Sequence, residues 1–195
     1  MMDRPVDMAH SELRSLVTKA ARGAGLPWGM AEEAGWAAEW LARRSMPAGE
    51  WAADWMAAAV EGRPDPVSYG TALADSLAHA TGVLTELAVP DDLVAPGYVL
   101  PFLHSIAQHR GSVQITGRSG LAVRVDADGR VQFGPSWRER PDNWRIGPAS
   151  RPPDPSRTRL SASLLDCLEG LALRTTVPPS DLSRADAGSA KSDND

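Results

Sequence analysis

Residues 19–35 read K-A-A-R-G-A-G-L-P-W-G-M-A-E-E-A-G. Gly23 and Gly25 followed by Pro27 end one helix and open another. Upstream, Leu13, Leu16, Val17, Ala20 and Ala21 fall at i, i+3, i+4, i+7 and i+8, one face of a helix. Ser11 is placed to cap it, with Glu12 in its first turn. Downstream, at about 100° per residue, Met30, Ala34, Ala37 and Leu41 form one apolar stripe. Ala31, Gly35, Ala38 and Ala42 form a second stripe of small residues, and Trp36 and Trp40 flank the other side. The polar sector left over is narrow: Glu32, Glu39 and Arg43. A helix apolar over so much of its circumference touches more than one neighbour, so this second helix is expected to be central.

The same pattern extends outward. Pro47 opens a third helix that sets Trp51, Trp55, Ala58 and Ala59 opposite Glu50, Asp54 and Glu61, and Gly62 ends it. Arg63–Pro66 is a linker, which leaves an all-helical unit over residues 11–62. Beyond it the pattern is mixed. Residues 71–80 suit a short helix and Val83–Val89 a strand. Pro96, Gly97 and Pro101 make 94–103 an extended segment entering a short helix at 102–109. Ser112–Thr116, Leu121–Val125 and Arg130–Phe133 are short β-branched or alternating runs, and Asp126-Ala127-Asp128-Gly129 between the last two is a strong hairpin signal. They form a three-stranded antiparallel meander. Residues 134–158 hold six prolines and suit a surface loop. Leu160–Thr175 is a last helix, with Leu164, Leu165, Leu168 and Leu171 as its core face. Cys167 is on the same side as a small hydrophobe.

The fold class is therefore α+β: about three N-terminal helices packed with a small antiparallel meander and a C-terminal helix. We expect a single compact domain over 1–180, comprising the helical unit 11–62 and an α+β unit 67–176. Residues 181–195 follow as a flexible polar tail with almost nothing apolar to bury.

The net charge of −5 is unevenly spread: −7 over residues 1–109, +5 over 110–159 and −3 over 160–195. A net acidic chain is poorly suited to holding phosphates in number, so nucleic acid is not an expected partner. The basic middle holds a small anion or, more simply, pairs with the acidic N-terminal half. One cysteine cannot make an internal disulfide. The N-terminus lacks an apolar signal core, and no stretch approaches the ~18 apolar residues of a membrane span. The expected location is the cytoplasm, with no membrane partner.

Familiar catalytic motifs are missing. Gly23-Ala24-Gly25 lacks the third glycine of a dinucleotide loop and follows a helix rather than a strand. There is no phosphate loop, nucleophile elbow or H-E-x-x-H. Asp75 and His79, four apart, could present oxygen and nitrogen to one ion, but an i,i+4 contact on a solvated face explains them. His104 and His109, five apart, diverge. Asp193-Asn194-Asp195 could chelate a hard cation only by ordering the tail. No metal or cofactor is expected.

Lys19–Gly35, Gly70–Asp75, Ala95–Phe102 ending in L-P-F, and Ser192–Asp195 together resemble an uncharacterised bacterial, mainly proteobacterial, family of unknown function. The resemblance implies a stand-alone single-domain protein and carries no catalytic residues, substrate or cofactor with it.

Two features stand out as candidate sites. Glu33 falls inside the apolar arc between Trp40 and Ala37, where a raised pKa would suit a general acid or base. Its structural alternative is an ion pair with Lys19 or Arg22. Five of seven tryptophans, Trp28, Trp36, Trp40, Trp51 and Trp55, lie within 28–55. With Arg22 they are either core or a surface for a ligand, a protein partner or a second copy of the chain. Two functions follow. One is a non-catalytic binding or accessory protein using a Trp-rich helical surface. The other is a small metabolic enzyme with Glu33 as acid/base and arginines from 110–145 holding a small carboxylic acid.

Overall fold

Strand β1 (Pro5–Ala9) runs without a gap into helix α1 (His10–Gly23). The computed structural model describes residues 5–78, 90, 92–117, 120–134, 137 and 157–174. The Glu12 carboxylate reaches back to accept the Ala9 N–H at 2.7 Å. The helix therefore begins one residue before Ser11, which lies exposed in its first turn. The turn to α2 (Trp28–Ala42) passes through Gly25 at φ +104°, a conformation that favours glycine. Gly23 has a different reason to be glycine: a side chain there would overlap the Leu171 carbonyl of the C-terminal helix.

The second helix is central, as its two apolar stripes require. Ala31, Ala34, Ala37, Ala38 and Leu41 are all inaccessible to solvent. Its small-residue side lies on α1, and its other faces meet α3 (Ala48–Val60), α4 (Pro66–Ala78) and α5 (Leu100–Arg110). The third helix buries Trp51, Trp55 and Met56, and Gly62 ends it at φ +81°.

The fourth helix starts five residues earlier than its apolar pattern shows. Asp65 caps it by accepting the Ser68 N–H at 2.7 Å, and Pro66 takes a first-turn position where no N–H is needed. Residues 63–65 are thus the linker. The expected strand at 83–89 lies outside the described residues. A 3-10 turn at Pro96–Val99 leads straight into α5, which begins at Leu100 rather than 102 because Pro101 sits in its first turn. Within the 3-10 turn Tyr98 is fully buried, edge-on to Trp55 with ring centroids 5.6 Å apart.

Strands β2 (Val113–Gly117), β3 (Gly120–Val125) and β4 (Val131–Phe133) form the expected antiparallel meander in sequence order. Val123 faces Phe133 and Val113 faces Val125 across it. A second, two-stranded sheet pairs β1 with β5 (Arg157–Ser161), Val6 opposite Leu160. Its pairing is too long-range for local periodicity to show.

Ser161 ends β5 and caps α6 (Ala162–Leu173), accepting the Leu164 N–H at 3.2 Å. The helix packs on α1 and α3; Leu168 and Leu171 are buried and Leu164 is half-buried. Cys167 is exposed, not buried as its helical position suggested. Most of the proline-rich loop and all of the C-terminal tail lie outside the described residues. No described helix is long and apolar enough to cross a membrane.

Candidate functional site

Glu33 stands at the border of the α2 core arc, half-buried and within electrostatic reach of Arg14 on α1 and Asp75 on α4. Burial raises its pKa; Arg14 opposes this, and Asp75 on α4 and neighbouring Glu32 add to the rise. Among the described residues no hydrogen bond or ion pair reaches its carboxylate. Neither cation expected as its partner takes that place. Arg22 donates to the Leu26 carbonyl and lies 6.0 Å from the centre of the Trp28 ring, while Lys19 is exposed. The influential cation, Arg14, is itself paired with Glu39 at 3.2 Å. Glu39 also takes Arg43 at 2.6 Å, and these bonds, Arg43 first, hold its pKa below the usual carboxylate range.

The tryptophans divide sharply. Trp55 is inaccessible and Trp40 and Trp51 are buried. Trp36 is half-buried, edge-on to Phe102 at 5.5 Å. These four belong wholly or partly to the core, so they do not form an open aromatic surface. Trp28 is the exception, with 60% of its surface exposed at the start of α2. Its indole N–H donates to Glu32 at 3.1 Å, and Arg22 approaches its ring. The side chain is therefore oriented on both sides while its bulk stays in water.

At the other end of α2 a second group assembles around Trp40, whose partners there the sequence did not bring together. The Trp40 indole donates to His104 Nδ1 of α5 at 3.0 Å, and His104 Nε2 faces the Ala127 carbonyl at 3.3 Å. Arg44 stacks on Trp40, its guanidinium carbon 3.7 Å from the ring centre. It donates to the carbonyls of Gly129 and Trp40, both at 3.2 Å. Gly129 has φ +81°, and a methyl group there would overlap the Arg44 guanidinium. The D-A-D-G run carries a turn signal, but its docking partner 85 residues away does not show in the sequence.

Of the arginines in the basic middle, Arg124 and Arg130 pair locally. Arg124 bonds Asp126 at 2.9 Å and Arg130 lies 3.7 Å from Asp128. Arg118, Arg138, Arg140 and Arg145 lie outside the described residues, as do His79 and Asp193–Asp195. Asp75 is exposed on α4. Among the described residues, no three metal-ligating side chains converge.

These features define an α+β protein built on a three-helix unit, in which Trp28 is exposed but oriented and the half-buried Glu33 carboxylate has no ion pair among the described residues. Residues 8–60, from the end of β1 through α3, match the model of a family described as a protein of unknown function (DUF3726). The match covers the helical unit, including Lys19–Gly35; Gly70–Asp75, Ala95–Phe102 and Ser192–Asp195 lie beyond it. No curated protein and no solved structure matches the chain.

Proposed function

We propose that this chain is a cytoplasmic, non-catalytic binding or accessory protein of bacterial, mainly proteobacterial, origin. It meets a protein partner or a second copy of itself at the Trp28 edge of the helical unit. The observation that carries the proposal is the exposure of Trp28 while Glu32 and Arg22 fix its orientation. A large aromatic side chain already held in place loses little conformational freedom on binding, which is why tryptophan and arginine recur at interface hot spots. The partner surface is thereby narrowed from five tryptophans to Trp28 with Arg22. The acidic charge of residues 1–109 favours a basic or neutral protein surface over nucleic acid.

Sedimentation of the purified wild type, alone and with proteins captured on it and identified, tests this. We expect self-association or one stoichiometric partner, lost in Trp28→Ala with the melting temperature kept. A wild-type chain that stays monomeric and holds nothing stoichiometrically would overturn the proposal.

The half-buried Glu33 favours a second function, an enzyme using that carboxylate as acid/base on a small carboxylic acid. It is the weaker proposal. Arg22 is engaged by the Leu26 carbonyl and the Trp28 ring, and Arg124 and Arg130 pair within the hairpin.

A further inference from the structure

We propose that His104 is a proton-operated latch: neutral, it holds the Asp126–Arg130 turn against the C-terminal end of α2, and protonation at Nδ1 releases that turn.

The geometry fixes the tautomer. An indole nitrogen can only donate, so Nδ1, which receives the Trp40 N–H at 3.0 Å, carries no hydrogen. The neutral ring therefore has its hydrogen on Nε2, where it points at the Ala127 carbonyl 3.3 Å away. One imidazole thus joins α2 to the turn between β3 and β4, accepting from one and donating to the other. Arg44 makes the parallel connection, stacked on the same indole and bonded to the Gly129 carbonyl. The turn sits so close to both that only glycine fits at 129, where a methyl group would overlap Arg44 and lie 3.2 Å from His104 Nε2.

Protonation leaves no acceptor for Trp40. Nδ1–H would face the indole N–H, two donors at hydrogen-bond distance, and the imidazolium would share the Trp40 ring's surroundings with the Arg44 cation. Among the described residues the charged groups acting on His104 are Arg44, from the end of α2, and Asp128, from the turn. Asp128 favours the imidazolium, but its side chain is 61% exposed and close to Arg130, so solvent screens it. Burial, the largest effect, lowers the His104 pKa; the Ala127 carbonyl opposes that, Arg44 adds to it and Asp128 opposes it. The latch is closed at neutral pH and opens in acid. Opening would uncover Trp40, only 7% exposed when closed, together with Arg44. None of this depends on the Trp28 surface.

The test is a ¹⁵N NMR titration of the full chain from about pH 7.5 to about pH 5, above the ordinary carboxylate range. At the upper end the imidazole shifts should show hydrogen on Nε2 alone. As His104 takes up its proton, the Trp40 indole resonance should move with the same midpoint. Protection of the Gly129 amide, its exchange rate taken against the intrinsic rate at each pH, should fall roughly tenfold or more as the turn undocks. His104→Asn offers a non-titrating acceptor near the Nδ1 position and should abolish both changes. If that variant does not fold, the wild-type titration still decides. Hydrogen on Nδ1 at neutral pH would overturn the latch, as would a protonation of His104 that leaves the Trp40 resonance and the protection of the Gly129 amide unchanged.

Discussion

Thr18 and Gly35 touch where α1 crosses α2: a methyl group built on Gly35 would overlap Thr18 Oγ1 and stand 2.7 Å from the Arg14 carbonyl. The missing side chain sets the distance between the two helices that define the N-terminal unit. Replacing an interior helical glycine by alanine ordinarily gains about 1 kcal/mol, so the contact makes a prediction of opposite sign. Gly35→Ala should destabilise, and Gly35→Leu should cost about 2–4 kcal/mol by overpacking and helix displacement. Urea unfolding gives both values. A Gly35→Leu midpoint at the wild-type position would show that the helices separate freely.

The Tyr98 hydroxyl fixes a second contact of α2, with the 3-10 turn. It donates to the Ala34 carbonyl at 3.0 Å with the ring fully buried. Tyr98→Phe leaves no stranded group, since a helical carbonyl keeps its own i+4 bond, and should cost about 1 kcal/mol. Tyr98→Ala leaves a cavity and should cost about 3–5 kcal/mol. Burial pushes the phenol pKa far up, above its unfolded value. Its contribution is therefore complete below pH ~10 and is lost as pH rises further. In an alkaline absorbance titration the Tyr98 signal should appear only with unfolding.

Gly129 and Gly62 share φ +81°, but only Gly129 has neighbours within reach of an added methyl group. Alanine at 62 should cost only the left-handed backbone strain, about 1 kcal/mol. Alanine at 129 adds the collision with Arg44 and should cost roughly 2–3 kcal/mol. Equal losses at the two sites would mean that the turn is not docked on the helices.

The contrast between these glycines shows how far sequence reached. Gly62 and the D-A-D-G turn were legible because glycine after a periodic run and at a hairpin bend are local signals. The centrality of α2 was legible because both of its stripes lie within one 15-residue run. What Gly23 meets, a carbonyl nearly 150 residues away, has no local trace. The same is true of β1 against β5 and of Trp40 against His104. Cys167 failed for a related reason: its helical face was right on average, but α6 buries only Leu168 and Leu171 fully. At the candidate site, the unusual place of Glu33 on the helical wheel was visible. Its neighbours were not, because Arg14 and Asp75 come from two other helices.

Glu33 carries the sharpest prediction. Its folded pKa is raised, chiefly by burial, so the folded state holds its proton more tightly than the unfolded chain. Stability from this group is thus largest in acid and is lost as pH rises from the ordinary glutamate value, about 4.3, through the raised one. At neutral pH the charged carboxylate is a liability, with no ion pair among the described residues to offset it. Glu33→Gln should therefore match or exceed wild-type stability at pH ~7, within roughly 1 kcal/mol, with any gain vanishing below pH ~4. Asp75→Asn, which removes a like charge, should move stability in the same direction. Glu32→Gln keeps an acceptor for Trp28 and, removing the weaker of the two like-charge effects, should move stability the same way by less. If Glu33 takes part in binding or catalysis, Glu33→Gln should lose that function while its melting temperature holds. A loss of about 2 kcal/mol or more would instead reveal a buried cation that depends on this carboxylate, and would remove Glu33 from the candidate site.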